Sequence, residues 1–86
     1  MKYTIKTHKS VEKFLSYHPD IAREFIQKFT LIADDPSTPL CDIKVLKGKN
    51  NNYRLRIGKY RFLYELKEQE ILIWIWKADS RWSVYK

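Results

Sequence analysis

The chain has few cysteines, glycines and prolines, and it has no long apolar run. Its 86 residues include a single cysteine, Cys41, together with two glycines and three prolines. One cysteine excludes an intramolecular disulfide and a Cys/His metal cluster, so we expect Cys41 to be a small packing residue. The longest apolar run, Ile71 to Trp76, is far too short to span a bilayer, and residues 1–6 lack the apolar segment of a signal peptide. We therefore expect one soluble, cytoplasmic domain over residues 1–86.

Acidic residues are missing from one stretch of the chain, and the whole formal net charge of +7 lies there. Residues 1–43 carry six basic and six acidic side chains, and residues 65–86 carry four of each. The remaining window has no Asp or Glu and contains seven basic residues: Lys44, Lys47, Lys49, Arg54, Arg56, Lys59 and Arg61. Such an excess is either a solvated surface or a polyanion site, and the spacing of these residues favours a site for phosphate or nucleic acid.

The spacing within this window predicts a β-hairpin with one cationic face. Tyr53 to Ile57 alternate between apolar and basic residues, and a second strand follows Gly58-Lys59, a pair that suits a type II′ turn. This turn places Arg56 opposite Arg61, with Arg54 on the same face. Because like charges facing each other destabilise a sheet by up to ~1 kcal/mol, we expect a ligand that compensates. Three convergent guanidinium groups make a good phosphate clamp.

Before the basic window, the pattern predicts a short strand and two helices. The strand spans Tyr3 to Thr7, and Ser10 is the predicted N-cap of the first helix. Pro19 starts the second helix, which should end near Asp34-Asp35-Pro36, because a residue that precedes proline is biased away from the helical region. Helical spacing predicts an inner stripe on this second helix, formed by Ile21, Phe25, Phe29 and Ile32.

After the helices, the pattern predicts a loop and then extended structure. Pro36 to Pro39 form the loop, Ile43 to Leu46 a short extended piece, and Asn50 to Asn52 an exposed turn. Ile71 to Trp76 are apolar on both faces and predict a central or nearly central strand, with Trp74 and Trp76 on one face and in the core.

The predicted fold class is therefore α+β. It has an N-terminal strand, a two-helix hairpin and an antiparallel three-stranded meander, with both helices on one face of the sheet. The other face stays open and carries the arginines.

Three segments give the chain a family resemblance. They are Leu46-Lys47-Gly48, the run from Tyr53 to Glu65, and Arg81-Trp82-Ser83-Val84-Tyr85 near the end. Together with the length and the order of elements, they resemble the RelE branch of the RelE/ParE toxins over nearly the whole chain. RelE-like toxins are mRNA interferases that cut mRNA in the ribosomal A site, and each is held inactive by a cognate antitoxin.

The resemblance implies a type II toxin that acts as an endoribonuclease and uses no metal or other cofactor. Its implied partners are an antitoxin, mRNA and the A site of the 30S ribosomal subunit, with no membrane, and promoter DNA only through the toxin-antitoxin complex. The implied catalytic residues are Arg56, Arg61, Arg81 and Tyr85. The implied RNA-binding and phosphate-binding residues are Arg54, Lys47, Lys49, Lys59 and Trp82.

The chemistry assigns different tasks to these residues. Cleavage of RNA requires deprotonation of the 2′-OH, stabilisation of the phosphorane and protonation of the leaving oxygen. Arginine serves only the second task, because its pKa is too high for a base. Tyr85 is the better candidate base, since clustered cations lower the pKa of a phenol, whereas His8 and His18 lie at helix boundaries. The lysines at positions 47, 49 and 59 could also act as acid or base if burial or neighbouring charge lowers their pKa. Asp79 departs from the family, where many active relatives have a basic residue, and it could pair with Arg81 or repel phosphate.

Two alternatives to the nuclease remain open at this point. The ParE branch shares the scaffold, lacks the nuclease residues and inhibits DNA gyrase. A catalytically weak relative that binds RNA without cutting it would fit the acidic residue at position 79.

Overall fold

Two helices and five strands make up the part of the chain that the structure, a computed structural model, describes: residues 2–36, 43–46, 48 and 50–80. In chain order they are β1 (Thr4–Thr7), α1 (Lys9–Ser16), α2 (Pro19–Asp34), β2 (Ile43–Val45), β3 (Asn52–Ile57), β4 (Tyr60–Lys67) and β5 (Leu72–Ser80). A 3₁₀ turn, Glu68–Glu70, joins β4 to β5. Within these ranges no helix is long and apolar enough to cross a membrane.

The strands form a single mixed sheet in the order β1-β5-β4-β3-β2. The predicted meander is confirmed as β3-β4-β5, and the α+β class is confirmed with it. Two edge strands extend the sheet beyond the predicted meander, because β1 pairs parallel to β5 and the short β2 pairs antiparallel to β3. The predicted apolar strand is β5, which lies one place in from the edge and continues to Ser80. It begins at Leu72 because Ile71, with φ +51°, is left-handed and closes the 3₁₀ turn.

Neighbouring residues determine where the two helices begin and end, and one of these residues, the N-cap of α1, differs from the prediction. The N-cap of α1 is His8 and not Ser10, because the His8 Nδ1 accepts a hydrogen bond from the backbone N–H of Ser10 at 3.1 Å. An imidazole nitrogen here takes the role that a hydroxyl usually has. Helix α2 begins at Pro19 and ends at Asp34 as predicted, since Asp35 takes the extended conformation favoured before proline.

The core lies between the helices and one face of the sheet. Phe62 on β4 is fully buried, and its ring centroid lies 5.0 Å from that of Phe25, 5.8 Å from that of Phe14 and 6.5 Å from that of Phe29. The predicted stripe on α2 is confirmed: three of its members are buried, and Ile21 packs against them. The buried apolar residues are Val11, Phe25, Phe29, Ile32, Ala33, Leu55, Ile57, Phe62, Tyr64, Leu66, Ile73 and Ile75.

The loops match the sequence prediction only in part. Asn50 and Asn51 form an exposed turn, but Asn52 is 9% exposed and starts β3. Its amide Nδ2 donates to the carbonyl oxygen of Asn50 at 2.9 Å. The loop predicted for Pro36 to Pro39 lies outside the described residues from position 37 onward, and so does Cys41.

Candidate functional site

The basic hairpin has the register that its turn predicts. Tyr53 pairs with Tyr64, and the pairing continues residue by residue to Ile57 opposite Tyr60. Gly58 has φ +60°, whereas Lys59 does not have a positive φ, which fits a type II′ turn. The two-residue turn therefore fixes which side chains of β3 and β4 share a face.

Three arginines lie on the sheet face that the helices leave uncovered. Arg56 pairs directly with Arg61 across the hairpin, and Arg54 is two residues further along the same face of β3. Residues directly opposite in an antiparallel pair have Cβ atoms about 4.5–5.5 Å apart, so the two charged side chains begin within reach of one ligand. The helix-facing positions between them are the buried Leu55, Ile57 and Phe62.

A pocket of about 240 Å³ opens at the tip of the hairpin. It is lined by Arg56, Gly58, Lys59 and Arg61. Every side chain in this set is cationic, and glycine leaves the backbone open at the turn. Two guanidinium groups and an ammonium group around one pocket are suited to hold a phosphate group, since each guanidinium can donate two parallel hydrogen bonds.

A β-bulge in β5 brings an acidic residue to this cationic face. The pairing between β4 and β5 shifts between Leu63 and Tyr64, so that Leu63 faces Lys77 while Tyr64 faces Ile75. Trp76 is the extra residue that the bulge inserts into β5. Compared with a strand that alternates regularly, the shift moves every later side chain of β5 to the other face of the sheet. Asp79 therefore lies on the open face and is the direct neighbour of Arg61. Its Oδ2 lies 3.6 Å from the Nζ of Lys77, with which it forms an ion pair.

Both described tryptophans lie on the open face, which the sequence pattern did not indicate. They share one face as predicted, but the core prediction was wrong, because Ile73 and Ile75 take the helix-facing positions of β5. Trp74 and Trp76 are half-buried. The Nε1 of Trp76 donates to the Oδ1 of Asn52 at 3.0 Å, which holds the indole across β4.

Neither histidine lines the pocket, and neither does Tyr64, the tyrosine whose pKa is raised. His8 caps α1, and the His18 ring packs on the helix side with its centroid 4.4 Å from that of Phe14 and 5.1 Å from that of Tyr60. Burial raises the pKa of the Tyr64 hydroxyl, and the nearby Tyr53 adds to the shift. Because Tyr64 faces the helices, it cannot reach a ligand on the open face.

Five of the predicted site residues fall outside the described part of the chain: Lys47, Lys49, Arg81, Trp82 and Tyr85. Their roles stay predictions, and so does the suggested pairing of Asp79 with Arg81. Of the other four, Arg56, Arg61 and Lys59 come together around the pocket, and Arg54 lies beside it on the same face. The sequence missed the position of Asp79, because a bulge leaves no local signal, and it missed that Trp74 and Trp76 lie outside the core.

This geometry defines a class: a small α+β domain whose open sheet face concentrates cations. Comparison with known proteins narrows the class to a family. A protein of Methanocaldococcus jannaschii assigned as toxin RelE1 is 36% identical over 91 residues, which cover 100% of this chain and 98% of that protein. The chain belongs to the RelE family of toxins. No protein-family model matches it.

Solved structures agree with this assignment. RelE in the archaeal RelE-RelB complex from Pyrococcus horikoshii is 30% identical, with a TM-score of 0.81, over 94% of this chain and 97% of that one. The RelB-RelE antitoxin-toxin complex from Methanococcus jannaschii contains a chain that is 28% identical, with a TM-score of 0.72, over 92% of this chain and 93% of that one. Both relatives were therefore solved in complex with RelB, which the second structure identifies as the antitoxin.

Proposed function

We propose that this chain is the toxin of a type II toxin-antitoxin pair and that it cleaves mRNA in the ribosomal A site. The observation that carries the proposal is the pairing of Arg56 with Arg61 beside the cationic pocket. The two guanidinium groups begin within reach of one ligand, and each can donate two parallel hydrogen bonds to the oxygens of an RNA phosphate. The same face carries Arg54, so a strand of RNA would meet several cations in a row.

The proposed site residues would divide the tasks of cleavage among them. Arg56 and Arg61 would stabilise the charge that develops on the phosphorane, and removal of one such donor typically costs ~10²–10³ in rate. Arg81 would add to this charge stabilisation, Tyr85 would take the proton from the 2′-OH, and one of the lysines at positions 47, 49 and 59 would donate a proton to the leaving 5′-oxygen. Lys59, Arg54, Lys47 and Lys49 would hold flanking phosphates, and Trp82 would lie near the substrate. No group in this scheme requires a metal.

The proposed antitoxin would cover the open sheet face. A segment with carboxylates would pair with the arginines, and an apolar part could cover half-buried side chains next to them. Such a segment would compete directly with RNA for the pocket. The two archaeal relatives solved with RelB support a protein partner of this kind.

A catalytically weak RNA binder is the second candidate, because a specific contact favours it. Asp79 lies directly opposite Arg61, and its carboxylate would repel a phosphate bound there. If this repulsion dominates, the protein grips RNA weakly and cuts it slowly. The experiment below separates the two candidates.

The test is primer extension on an mRNA in a translation reaction, with and without ribosomes. Wild type would be compared with Arg61→Ala, Arg56→Ala and Tyr85→Phe. Arg23→Ala is the matched control, because Arg23 is an exposed arginine on α2 in the helix layer. We expect cuts within ribosome-bound codons for wild type and for the control, with at least about a hundredfold loss for Arg61→Ala.

Other outcomes would redirect the proposal. Growth arrest without cuts would favour inhibition of a protein target such as DNA gyrase. Neither cuts nor arrest would favour the weak RNA binder. Equal activity of Arg61→Ala and Arg23→Ala would contradict the assignment of the pocket.

A further inference from the structure

We propose that Trp74 and Trp76 form a nucleobase-stacking site for single-stranded RNA, next to the arginine pocket. The inference rests on the proposed function, since it extends the same RNA along the same face. It adds a second binding mode: the pocket would hold phosphate, and the indoles would hold bases. Proteins that bind single strands combine these two features, a cationic path for the backbone and aromatic rings for the bases.

Trp76 is held in place by a buried polar side chain. Its Nε1 donates to the Oδ1 of Asn52 at 3.0 Å, and the Nδ2 of Asn52 donates to the carbonyl oxygen of Asn50 at 2.9 Å. Asn52 belongs to β3 and Trp76 to β5, so the indole must lie across the intervening strand β4. A large ring fixed over the sheet and still part-exposed is a preorganised surface for a flat partner.

Trp74 lies on the same face, nearer to β1. Its ring makes an edge-on contact with His8, with the centroids 6.1 Å apart. On the neighbouring strands, Trp74 is opposite Glu65 of β4 and Lys6 of β1. The ring is half-buried, as that of Trp76 is, so both indoles are supported by neighbours and remain accessible.

Cations flank the two indoles. Lys6, Lys44 and Lys77 are exposed, Arg54 is half-buried, and the pairing of the strands puts all four on the open face. Glu65 is also on this face, directly opposite Trp74. A carboxylate there disfavours a phosphate directly above it but not a base. The arrangement fits a strand whose phosphates follow the cations while its bases lie on the rings.

The distances suit a short oligonucleotide. A strand rises about 3.3 Å per residue, so Trp76 lies about 10 Å and Trp74 about 16 Å along β5 from Asp79, the neighbour of the pocket arginine. Stacked nucleotides are about 3.4 Å apart. A hexanucleotide therefore reaches from the pocket to both indoles, whereas a dinucleotide does not.

The test compares two ligands that differ only in their bases. The first is a 2′-O-methyl hexaadenylate, which cannot be cleaved because its 2′-oxygen is blocked, and the second is an abasic strand with the same number of phosphates. Affinities would be measured by fluorescence anisotropy at 50 mM salt. We expect wild type to bind the hexaadenylate more tightly by about 5- to 150-fold for each stacked base.

Variants assign this preference to the indoles. Trp74→Leu and Trp76→Leu should each reduce the preference for the hexaadenylate, while Trp74→Phe should keep most of it. Tyr17→Leu is the control, because Tyr17 is 70% exposed at the end of α1, in the helix layer. Arg61→Ala should weaken both ligands alike.

The ligand comparison in wild type needs no substitution, so a variant that fails to fold does not affect it. Equal affinity for the two strands overturns the inference while leaving the proposed function intact, provided that Arg61→Ala weakens both. A base preference that survives both leucine variants, with their fold verified by circular dichroism, also overturns it. If neither strand binds wild type, the proposed function and the inference both fail.

Discussion

Replacement of Asp79 by asparagine should tighten the binding of RNA. Asp79 faces Arg61 directly across β4 and β5, and its side chain is 18% exposed. Asparagine has nearly the same shape but no charge, so the substitution removes repulsion of phosphate without opening a cavity. The ion pair with Lys77 would be lost, but Lys77 is 52% exposed and such a pair contributes little.

The size of the effect follows from the geometry. Cross-strand neighbours have Cβ atoms about 5 Å apart, and two unit charges at ~5 Å interact by ~0.8 kcal/mol in bulk water and by ~3 kcal/mol at an effective dielectric constant of 20. Arg61 is half-buried whereas Arg56 and Lys59 are exposed, so the pocket lies between these limits. We therefore expect a gain of about 1–2 kcal/mol, which is a factor of about 5–30 in affinity.

The assay is anisotropy with a 2′-O-methyl hexanucleotide between 50 and 200 mM salt. The slope of log affinity against log salt should become steeper by up to ~0.7, because one more cation is free to pair with phosphate. Glu24→Gln, an exposed position on α2, is the control, since it changes the net charge by the same amount in the helix layer. Equal effects of the two variants would mean that only net charge matters. Weaker binding by Asp79→Asn would mean that the carboxylate positions Arg61 and does not compete with RNA.

Three further predictions concern the scaffold. Phe62→Ala should lower the free energy of unfolding by about 3–5 kcal/mol in urea titrations, because a fully buried ring is lost, while the exposed Tyr17→Ala should change it little. The free energy of unfolding should fall as the pH rises above about 10, because Tyr64 releases its proton there in the unfolded chain but retains it in the folded protein, where burial raises its pKa. Tyr64→Phe should make this fall less steep by up to about 1.4 kcal/mol per pH unit, as measured by chemical denaturation. Gly58→Ala should cost about 1 kcal/mol of stability, because its φ of +60° disfavours a Cβ, and Gly58→Asn should cost less; thermal melts of both variants would check this order.

The hairpin and the helices could be predicted because their signals are local. A two-residue turn with glycine first fixes the register, and the register alone places Arg56 opposite Arg61. Proline at position 19 and proline at position 36 bound α2 for reasons that involve only neighbouring residues. The cationic half of the site could therefore be predicted from the sequence of the hairpin alone.

The other features depend on pairing between distant residues. Strand β2 is short, and it becomes a strand only because β3 offers a free edge. The side chain of Asn52 is buried and accepts a hydrogen bond from the indole of Trp76, which lies 24 residues later in the chain. From the local sequence alone, Asn52 is typical of a polar turn. The cap at His8 was missed because serine is the commoner cap and stood two residues away.

The bulge in β5 decides what kind of site the open face carries. Counting by twos from Ile73 and Ile75 would put Lys77 and Asp79 on the helix side, where two charges would have to be buried among aromatic rings. One extra residue, Trp76, returns both to the open face and seats Ala78 against the core instead. The same residue leaves two adjacent side chains, those of Trp76 and Lys77, on one face. A single irregularity thus brings a carboxylate to the pocket, keeps two charges out of the core, and places Lys77 beside the indole of Trp76.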